Sequence, residues 1–181
     1  MPVEIGILSD THGFFDPRLP KILESVDEIW HAGDFGVGQV ADKLERIKPM
    51  RGVFGNIDTD DIRLRFPEDL KFEVEGMRVW MTHIAGRPKR YDPRVKRMLQ
   101  AGEIPDLLIC GHSHILRIEK DKRFENMQYI NPGAAGHHGF HRVLTLLKCT
   151  LDEGDVKNVR VIELGQRGRK LTSLAPQKCD P

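Results

Sequence analysis

Cysteine is scarce in this chain of 181 residues, which holds three: Cys110, Cys149 and Cys179. Their number is odd and no Cys-x-x-Cys occurs, so the sequence favours neither a disulfide framework nor a zinc ribbon. A few free thiols suit a reducing compartment, and we therefore expect a cytoplasmic protein. Cys110 and Cys149 lie in apolar runs, which predicts inert thiols in the core.

No sign of charge dominates, and no apolar run is long. Lys and Arg number 28 and Asp and Glu number 27, giving a formal net charge of +1. This balance excludes the strongly basic footprint of many nucleic-acid-binding domains, so we expect no sequence-specific nucleic-acid partner. No stretch has the length of a membrane span, and no cationic segment followed by an apolar one opens the chain. We therefore expect neither a membrane partner nor a secretory signal.

The length suits one domain, which we place at residues 1–164, followed by a basic, poorly ordered tail at 165–181. Strands are predicted at 3–9, 27–31 and 50–54, with helices at 18–26 and 38–48 between them. This β-α-β-α-β order favours a parallel sheet with helices on its faces.

The second part of the chain has a different pattern. Runs at 70–74 and 77–82 predict a hairpin around Glu75-Gly76. A helix is predicted after Asp92, which caps it, with Pro93 in its first position and Gly102 past its end. A buried strand is predicted at 106–110. Further strands, which we expect to be antiparallel, are predicted at 115–120, 127–130, 143–148 and 156–164.

Metal-binding side chains follow five of these strands directly. In chain order they are Asp10 and His12, then Asp34, Asn56, His83, and finally His112 with His114. Ligands of open α/β sheets bind outside the carboxyl ends of the strands, so these side chains are expected to meet. Oxygen and imidazole donors without thiolates favour ions such as Mn²⁺, Fe²⁺ or Zn²⁺. Seven donors are too many for one tetrahedral zinc and suit two ions that share a ligand.

These segments resemble the motifs of the calcineurin-like metallophosphoesterases, and in particular the small, single-domain prokaryotic phosphodiesterases of that superfamily. The motifs are SDTHG at 9–13, HAGD at 31–34, GNID at 55–58, TH at 82–83, GHSH at 111–114 and NPG at 131–133. The resemblance extends from residue 3 to about residue 164. It implies an α/β fold in which two packed, mixed β-sheets are flanked by helices on both outer faces, and it suggests a homodimer.

The resemblance also implies roles for individual residues. One metal ion would be held by Asp10, His12 and His114, a second by Asn56, His83 and His112, and Asp34 would bridge them. Asp34, Asn56 and His112 are also predicted to be catalytic. Many relatives have a histidine where this chain has Ile57, and small relatives often have His-Gly-His where this chain has His83-Ile84-Ala85. Both differences predict a preference for good leaving groups.

The predicted function is therefore a phosphodiesterase that depends on two divalent ions, with Mn²⁺ favoured over Fe²⁺, Ni²⁺ and Zn²⁺. Two ions about 3.5–4 Å apart clamp the attacking and leaving oxygens of an in-line displacement, and a hydroxide bridging them would attack phosphorus. The substrate would be a small phosphoester or a nucleotide. Two alternatives stay open: a phosphomonoesterase, and a scaffold of the same fold, as the retromer subunit mainly is.

Other residues have two interpretations each. His31 either orients a ligand or is a satisfied histidine at a strand end. The histidines at 137, 138 and 141 either face substrate or, as the pattern favours, form a surface loop. The basic segment with Arg87, Lys89, Arg90 and Tyr91 either recognises phosphate or, as is commoner, is a solvated loop or a subunit contact. Phe14 and Phe15 either stack on substrate or, more commonly, pack in the core.

Overall fold

Two five-stranded sheets pack face to face in the computed structural model, which describes residues 1–168. The strands are β1 (Val3–Leu8), β2 (Glu28–His31), β3 (Met50–Gly52), β4 (Asp69–Val74), β5 (Met77–Thr82), β6 (Gly86–Arg87), β7 (Arg90–Tyr91), β8 (Leu107–Ile109), β9 (Arg117–Asp121), β10 (Met127–Asn131), β11 (Val143–Asp152) and β12 (Asp155–Gln166). The helices are α1 (Leu19–Ile22), α2 (Gly38–Glu45), α3 (Asp60–Arg65) and α4 (Pro93–Gln100).

The first sheet has the strand order β12-β11-β1-β2-β3, and the second has the order β4-β5-β8-β10-β9. In the first, β1, β2 and β3 run parallel and β11 pairs antiparallel with both β1 and β12. In the second, β5, β8 and β10 run parallel, while β4 and β9 are antiparallel edges. The predicted fold class, two mixed sheets in a sandwich, is confirmed.

Three apolar layers hold the sandwich together. The central layer lies between the sheets and includes the fully buried Trp30 and Ile109. On one outer face, helices α1, α2 and α3 bury Leu19, Leu44 and Ile62 against the first sheet. On the other, α4 buries Val95 and Leu99 against the second sheet. Each fully buried aliphatic side chain contributes about 1.5–3 kcal/mol through its removal from water.

Helix α4 begins and ends at the residues that the sequence predicts. The Asp92 side chain accepts a hydrogen bond of 2.9 Å from the backbone N–H of Arg94. Pro93 is the first residue of the helix. A backbone N–H at that position has no partner within the helix, so proline costs no hydrogen bond there. Past the end, Gly102 adopts a φ of +92°, a conformation that glycine reaches without a steric penalty.

Several predicted details are wrong. Strand β10 runs parallel to β8, not antiparallel, because β9 first crosses to the sheet edge and the chain then returns beside β8. Helix α1 is confined to Leu19–Ile22, shorter than predicted, and α3 and the β6–β7 hairpin were not predicted at all. Strand β12 continues to Gln166, two residues beyond the predicted end of that strand. The predicted tail lies, from residue 169 onward, outside the described residues.

Both core cysteines behave as predicted. Cys110 and Cys149 are buried and free, and burial raises the pKa of each thiol to about 12. Neither is poised to react as a thiolate near neutral pH. Among the described residues, no helix is long and apolar enough to cross a membrane.

Candidate metal centre

The seven predicted ligands meet where the carboxyl ends of strands from both sheets come together. Backbone hydrogen bonds tie the loops that carry them. The N–H of Asp10 donates to Gly33 O at 2.9 Å, and the N–H of His12 donates to Asp34 O at 3.0 Å. Across the sandwich, the N–H of Gly111 donates to His83 O at 3.1 Å. The main chain therefore sets the positions of the loops before any side chain contributes.

We call Asp10, His12 and His114 the first half of the centre. Nε2 of His114 lies 3.1 Å from Oδ1 of Asp10 and 3.2 Å from Nε2 of His12. Nε2 of His12 lies 3.9 Å from the same Asp10 oxygen. Three donor atoms on three side chains thus face one point, and they lie within 4.8 Å of one another.

We call Asn56, His83 and His112 the second half. Oδ1 of Asn56 lies 3.2 Å from Nε2 of His83 and 2.8 Å from Nδ1 of His112. His83 is buried, whereas Asn56 and His112 are exposed. This half therefore opens to solvent, and beside it lies a cleft of about 200 Å³ whose lining includes Arg63 and Arg94.

Two buried carboxylates, Asp34 and Asp10, approach both halves. Oδ2 of Asp34 is 3.7 Å from Nε2 of His12, and Oδ1 of Asp34 is 3.3 Å from Nε2 of His83. The Asp34 oxygens thus face opposite halves. Asp10 also approaches the second half, with Oδ1 4.0 Å from Nε2 of His83. Asp10, Asp34 and His83 form a further group whose donor atoms lie within 4.8 Å of one another.

The protonation of the centre reflects this crowding. Burial opposes the charge of Asp34, but the hydrogen bond and the charge of His83 outweigh it and lower the pKa of the carboxyl. His83 responds in the opposite sense. Its burial opposes protonation, yet the bond to Asp34 and the charge of Asp10 raise its pKa. Burial lowers the pKa of both His12 and His112.

The donor set fits divalent cations. The side chain of Asp10 is 0% exposed and that of Asp34 is 3% exposed. Within residues 1–168, no Lys or Arg lies within salt-bridge distance of either carboxylate, so the basic side chains that approach them are all histidines. Burying paired negative charge without a compensating cation is costly, and metal coordination is one way in which proteins compensate it. Carboxylate, amide and imidazole donors suit ions of the Mn²⁺, Fe²⁺ and Zn²⁺ type.

Five of the seven candidate ligands have a left-handed backbone. Their φ angles lie between 47° and 67°, at Asp10, His12, Asp34, His112 and His114. Each such position costs of order 1–3 kcal/mol in a residue other than glycine and persists when the surrounding structure imposes it. Asp, Asn and His tolerate this conformation better than most residues. The loops are therefore strained where their side chains converge.

Two glycines let the loops approach each other. A Cβ on Gly111 would overlap Oγ of Ser9 and come within 2.7 Å of Oδ2 of Asp10. A Cβ on Gly55 would overlap Oδ1 of Asp34. Only glycine fits at both positions, as the sequence predicts for glycines beside the ligands.

Hydrogen bonds behind the centre fix which ring nitrogen of two histidines faces it. Nδ1 of His83 lies 2.7 Å from Ala32 O, which can only accept, so Nδ1 carries the proton and leaves the Nε2 lone pair for a metal. His114 is backed by a second imidazole, with 3.3 Å between its Nδ1 and Nδ1 of His141. Nε2 of His141 donates to Gly136 O at 2.9 Å, so its Nδ1 accepts from His114.

The loop at residues 137–141 lies at the surface, as the favoured interpretation predicts, and His138 and Phe140 are exposed, but its histidines also contact the centre. The loop folds back onto the first half, where the ring of His138 lies 4.8 Å from that of His12, centroid to centroid. His141 supports His114, while His137 packs on Phe14 at 4.4 Å. The sequence identifies these histidines as candidates. Only the fold shows that the loop after β10 returns to the loop after β1.

His31 contacts the motif loops rather than a candidate ligand side chain. It accepts from the N–H of Gly33 at Nδ1, 3.2 Å away, and its Nε2 lies 3.1 Å from Oγ1 of Thr11. The ring stacks on Phe35 with 3.6 Å between centroids. Burial is complete and lowers the pKa of His31 to about 3, so it is neutral near pH 7.

Asp58 stabilises the loop that carries Asn56. Its carboxylate accepts from the backbone N–H groups of Gly55 and Gly36, each at 2.8 Å.

Ile57 donates its backbone N–H to Oδ1 of Asp34 at 3.1 Å, and its side chain is 42% exposed beside the centre. No imidazole therefore stands at this position. Phe14 is half-buried and packs on the core, as the commoner interpretation predicts.

A cluster of carboxylate, amide and imidazole donors with two buried carboxylates, at the meeting edge of two mixed sheets, is typical of metal-dependent hydrolases. The sequence family agrees with this geometry. Residues 3–154 match the model of the calcineurin-like phosphoesterase superfamily domain. The chain belongs to this superfamily, whose members use divalent metal ions.

One relative supports the same assignment, and two solved structures share the fold. The chain is 34% identical over 137 residues to a probable metallophosphoesterase of Methanothermobacter thermautotrophicus, covering 72% of this chain and 76% of the relative. Its fold is similar to Vps29 of Entamoeba histolytica complexed with Zn²⁺ (TM-score 0.63, 17% identity, 88% of this chain and 98% of the other). It is also similar to a predicted phosphoesterase of Streptococcus pneumoniae (TM-score 0.63, 18% identity, 90% and 98%).

Proposed function

We propose that this phosphoesterase hydrolyses phosphodiesters with two divalent ions, one held by each half of the centre and both by Asp34. The observation that carries the proposal is the orientation of Asp34, whose two oxygens face His12 on one side and His83 on the other. When bound, two such ions supply positive charge against the phosphoryl oxygens and lower the pKa of a water that attacks phosphorus.

The residues of the chain prepare the centre for this chemistry. Burial lowers the pKa of His12 and of His112, which favours the neutral, metal-binding form of each imidazole near neutral pH. Asn56 is a neutral donor, so the donor shell carries only the charges of Asp10 and Asp34. Two divalent ions then leave a net positive centre that attracts an anionic ester.

Preference for diesters is supported by Ile57. An exposed aliphatic side chain stands where many relatives have an imidazole, so that position offers no donor to a leaving oxygen or to the second negative charge of a monoester. We expect turnover to be fastest when the leaving group needs no proton. Among the ions that suit the donors we favour Mn²⁺, ahead of Fe²⁺, Ni²⁺ and Zn²⁺.

Two further proposals concern the compartment of the protein and its assembly. The free thiols Cys110 and Cys149 support a reducing, cytoplasmic compartment. A homodimer, which would pair sheet edges such as β12 or β9, is an expectation from the family resemblance.

The test is hydrolysis of bis(p-nitrophenyl) phosphate by metal-stripped protein before and after addition of Mn²⁺, with p-nitrophenyl phosphate measured in parallel. We expect Mn²⁺ to restore turnover of the diester, and Asp34→Asn to abolish it. Asp60→Asn, an exposed carboxylate on α3, is the matched control and should retain activity. Faster hydrolysis of the monoester would make the protein a phosphatase.

A scaffold is the second candidate function, and the likeness to Vps29 favours it. It predicts that the protein binds metal but hydrolyses neither ester. The retention of all seven donors in one cluster favours the enzyme, because a scaffold has no chemical need for two adjacent buried carboxylates. Metal content measured together with turnover separates the two.

A further inference from the structure

A cluster of basic side chains lies next to the metal centre and takes no part in it. The β6–β7 hairpin follows His83 in the chain and carries Arg87, Lys89 and Arg90, and Arg117 of β9 lies opposite. These residues line two adjoining clefts of about 340 Å³ and 290 Å³, which share the three arginines. We call this pair of clefts the cationic cleft.

The cationic cleft has an excess of positive charge. Within residues 1–168, Arg87, Lys89 and Arg90 form no salt bridge, and Arg117 has Glu119 at 3.4 Å. Four cations therefore share one carboxylate. Arg78 of β5, by contrast, is paired with Asp106 at 2.8 Å. Like charges gathered in a cleft attract anions because the low-dielectric walls focus their field.

The hairpin that presents these charges is held in place. The Tyr129 hydroxyl donates to Gly86 O at 2.6 Å, and the Tyr91 hydroxyl donates to Asp121 at 2.9 Å. At the turn, Lys89 adopts a left-handed φ of 74°. The tethered turn fixes the backbone that presents these side chains, so binding an anion there costs less conformational entropy than it would on a free loop.

The cleft reaches the segment of chain that carries two of the candidate metal ligands. Ser113, which lines it, stands between His112 and His114 in the chain, so its Cα lies about 3.8 Å from theirs. Oγ of Ser113 accepts from Nδ2 of Asn131 at 3.1 Å and from the N–H of Ile115 at 3.3 Å. Its hydroxyl hydrogen is therefore available to donate to a ligand in the cleft.

We propose that the cationic cleft binds a second phosphate group of the substrate while the scissile phosphate lies at the metal centre. The substrate class is then phosphodiesters that carry a further phosphate, such as nucleotides with a terminal phosphate. Arginine forks suit the oxygens of such a group. This inference rests on the proposed function for the position of the scissile bond, but binding of an anion in the cleft can be tested without turnover.

The binding test uses metal-stripped protein and inorganic tripolyphosphate, measured by titration calorimetry at low salt. We expect the double variant Arg87→Ala/Arg90→Ala to bind at least about tenfold more weakly than wild type. Lys21→Ala/Arg46→Ala removes the same charge from exposed positions on the opposite outer face and should bind as wild type does. Equal affinity in the cleft variant and in wild type would overturn the proposal, as would an equal loss in both double variants.

The kinetic test uses two thymidine 5′-(p-nitrophenyl) phosphodiesters that differ only in a 3′-phosphate, with Mn²⁺-loaded protein. The leaving group is the same in both. We expect wild type to prefer the ester with the 3′-phosphate, and the cleft variant to lose that preference at least about tenfold through KM. An equal loss on both esters would overturn the proposal. If wild type hydrolyses neither ester, the proposed function fails, and calorimetry alone decides whether the cleft binds phosphate.

Discussion

The two halves of the metal centre differ in how firmly the fold confines them. In the first half all three donors have left-handed backbones, and the loop at 137–141 covers them from behind. In the second half only His112 has such a backbone, and Asn56 and His112 are exposed. On the proposed function, the first half would retain an ion and the second would stay open to an incoming ester. We therefore expect the first half to bind its ion more tightly.

Removing one histidine from each half gives the largest expected effects. His12→Ala and His112→Ala should each lower turnover about 10³-fold or more, because several kcal/mol of transition-state stabilisation depend on each ion. They should differ in what remains bound. After dialysis against a chelator of graded strength, His12→Ala should lack the tightly held ion and His112→Ala should keep it. Retention of the tight ion by His12→Ala would contradict the comparison.

His141 should have a smaller effect that is confined to the first half. Without it, Nδ1 of His114 loses its hydrogen-bond acceptor, and loss of such a partner lowers metal affinity about 10–100-fold. Metal titration of His141→Ala should show a weaker tight site and an unchanged second site. His137→Ala, from the same loop but in contact with Phe14, is the control and should bind as wild type does. Weakening of both sites alike would show that the loop supports the whole centre.

His31 should give the smallest effect, and one that depends on pH. Its pKa falls from 6.5 to about 3 on folding, so below pH 6.5 the unfolded chain binds a proton that the folded chain excludes. The contribution is complete above pH 6.5 and is lost as the pH falls towards 3. In urea unfolding of metal-free protein, wild type should lose about 2 kcal/mol more than His31→Gln between pH 7 and pH 5. An equal loss in both proteins would refute the assignment.

The part of the centre that the sequence predicts is the part that depends on local chain order. Donors such as Asp34 and His83 directly follow strands, and the geometry of a sheet brings strand ends together. The support from His141 depends instead on a loop that closes between β10 and β11, and no local pattern specifies where it lands. The parallel pairing of β10 with β8 was mispredicted for a related reason, since alternation of apolar residues does not name the neighbouring strand.

The left-handed ligand positions also restrict how the centre can vary. A β-branched residue would be strongly disfavoured at any of them, and a glutamate in place of Asp10 would combine a backbone penalty with a carboxylate one methylene too far out. Aspartate is therefore favoured for two reasons: its carboxylate has the reach that a bound cation would need, and it tolerates the left-handed main chain. A designer who wished to transplant this centre would have to copy the turns together with the side chains, because the same seven residues on relaxed loops would point elsewhere.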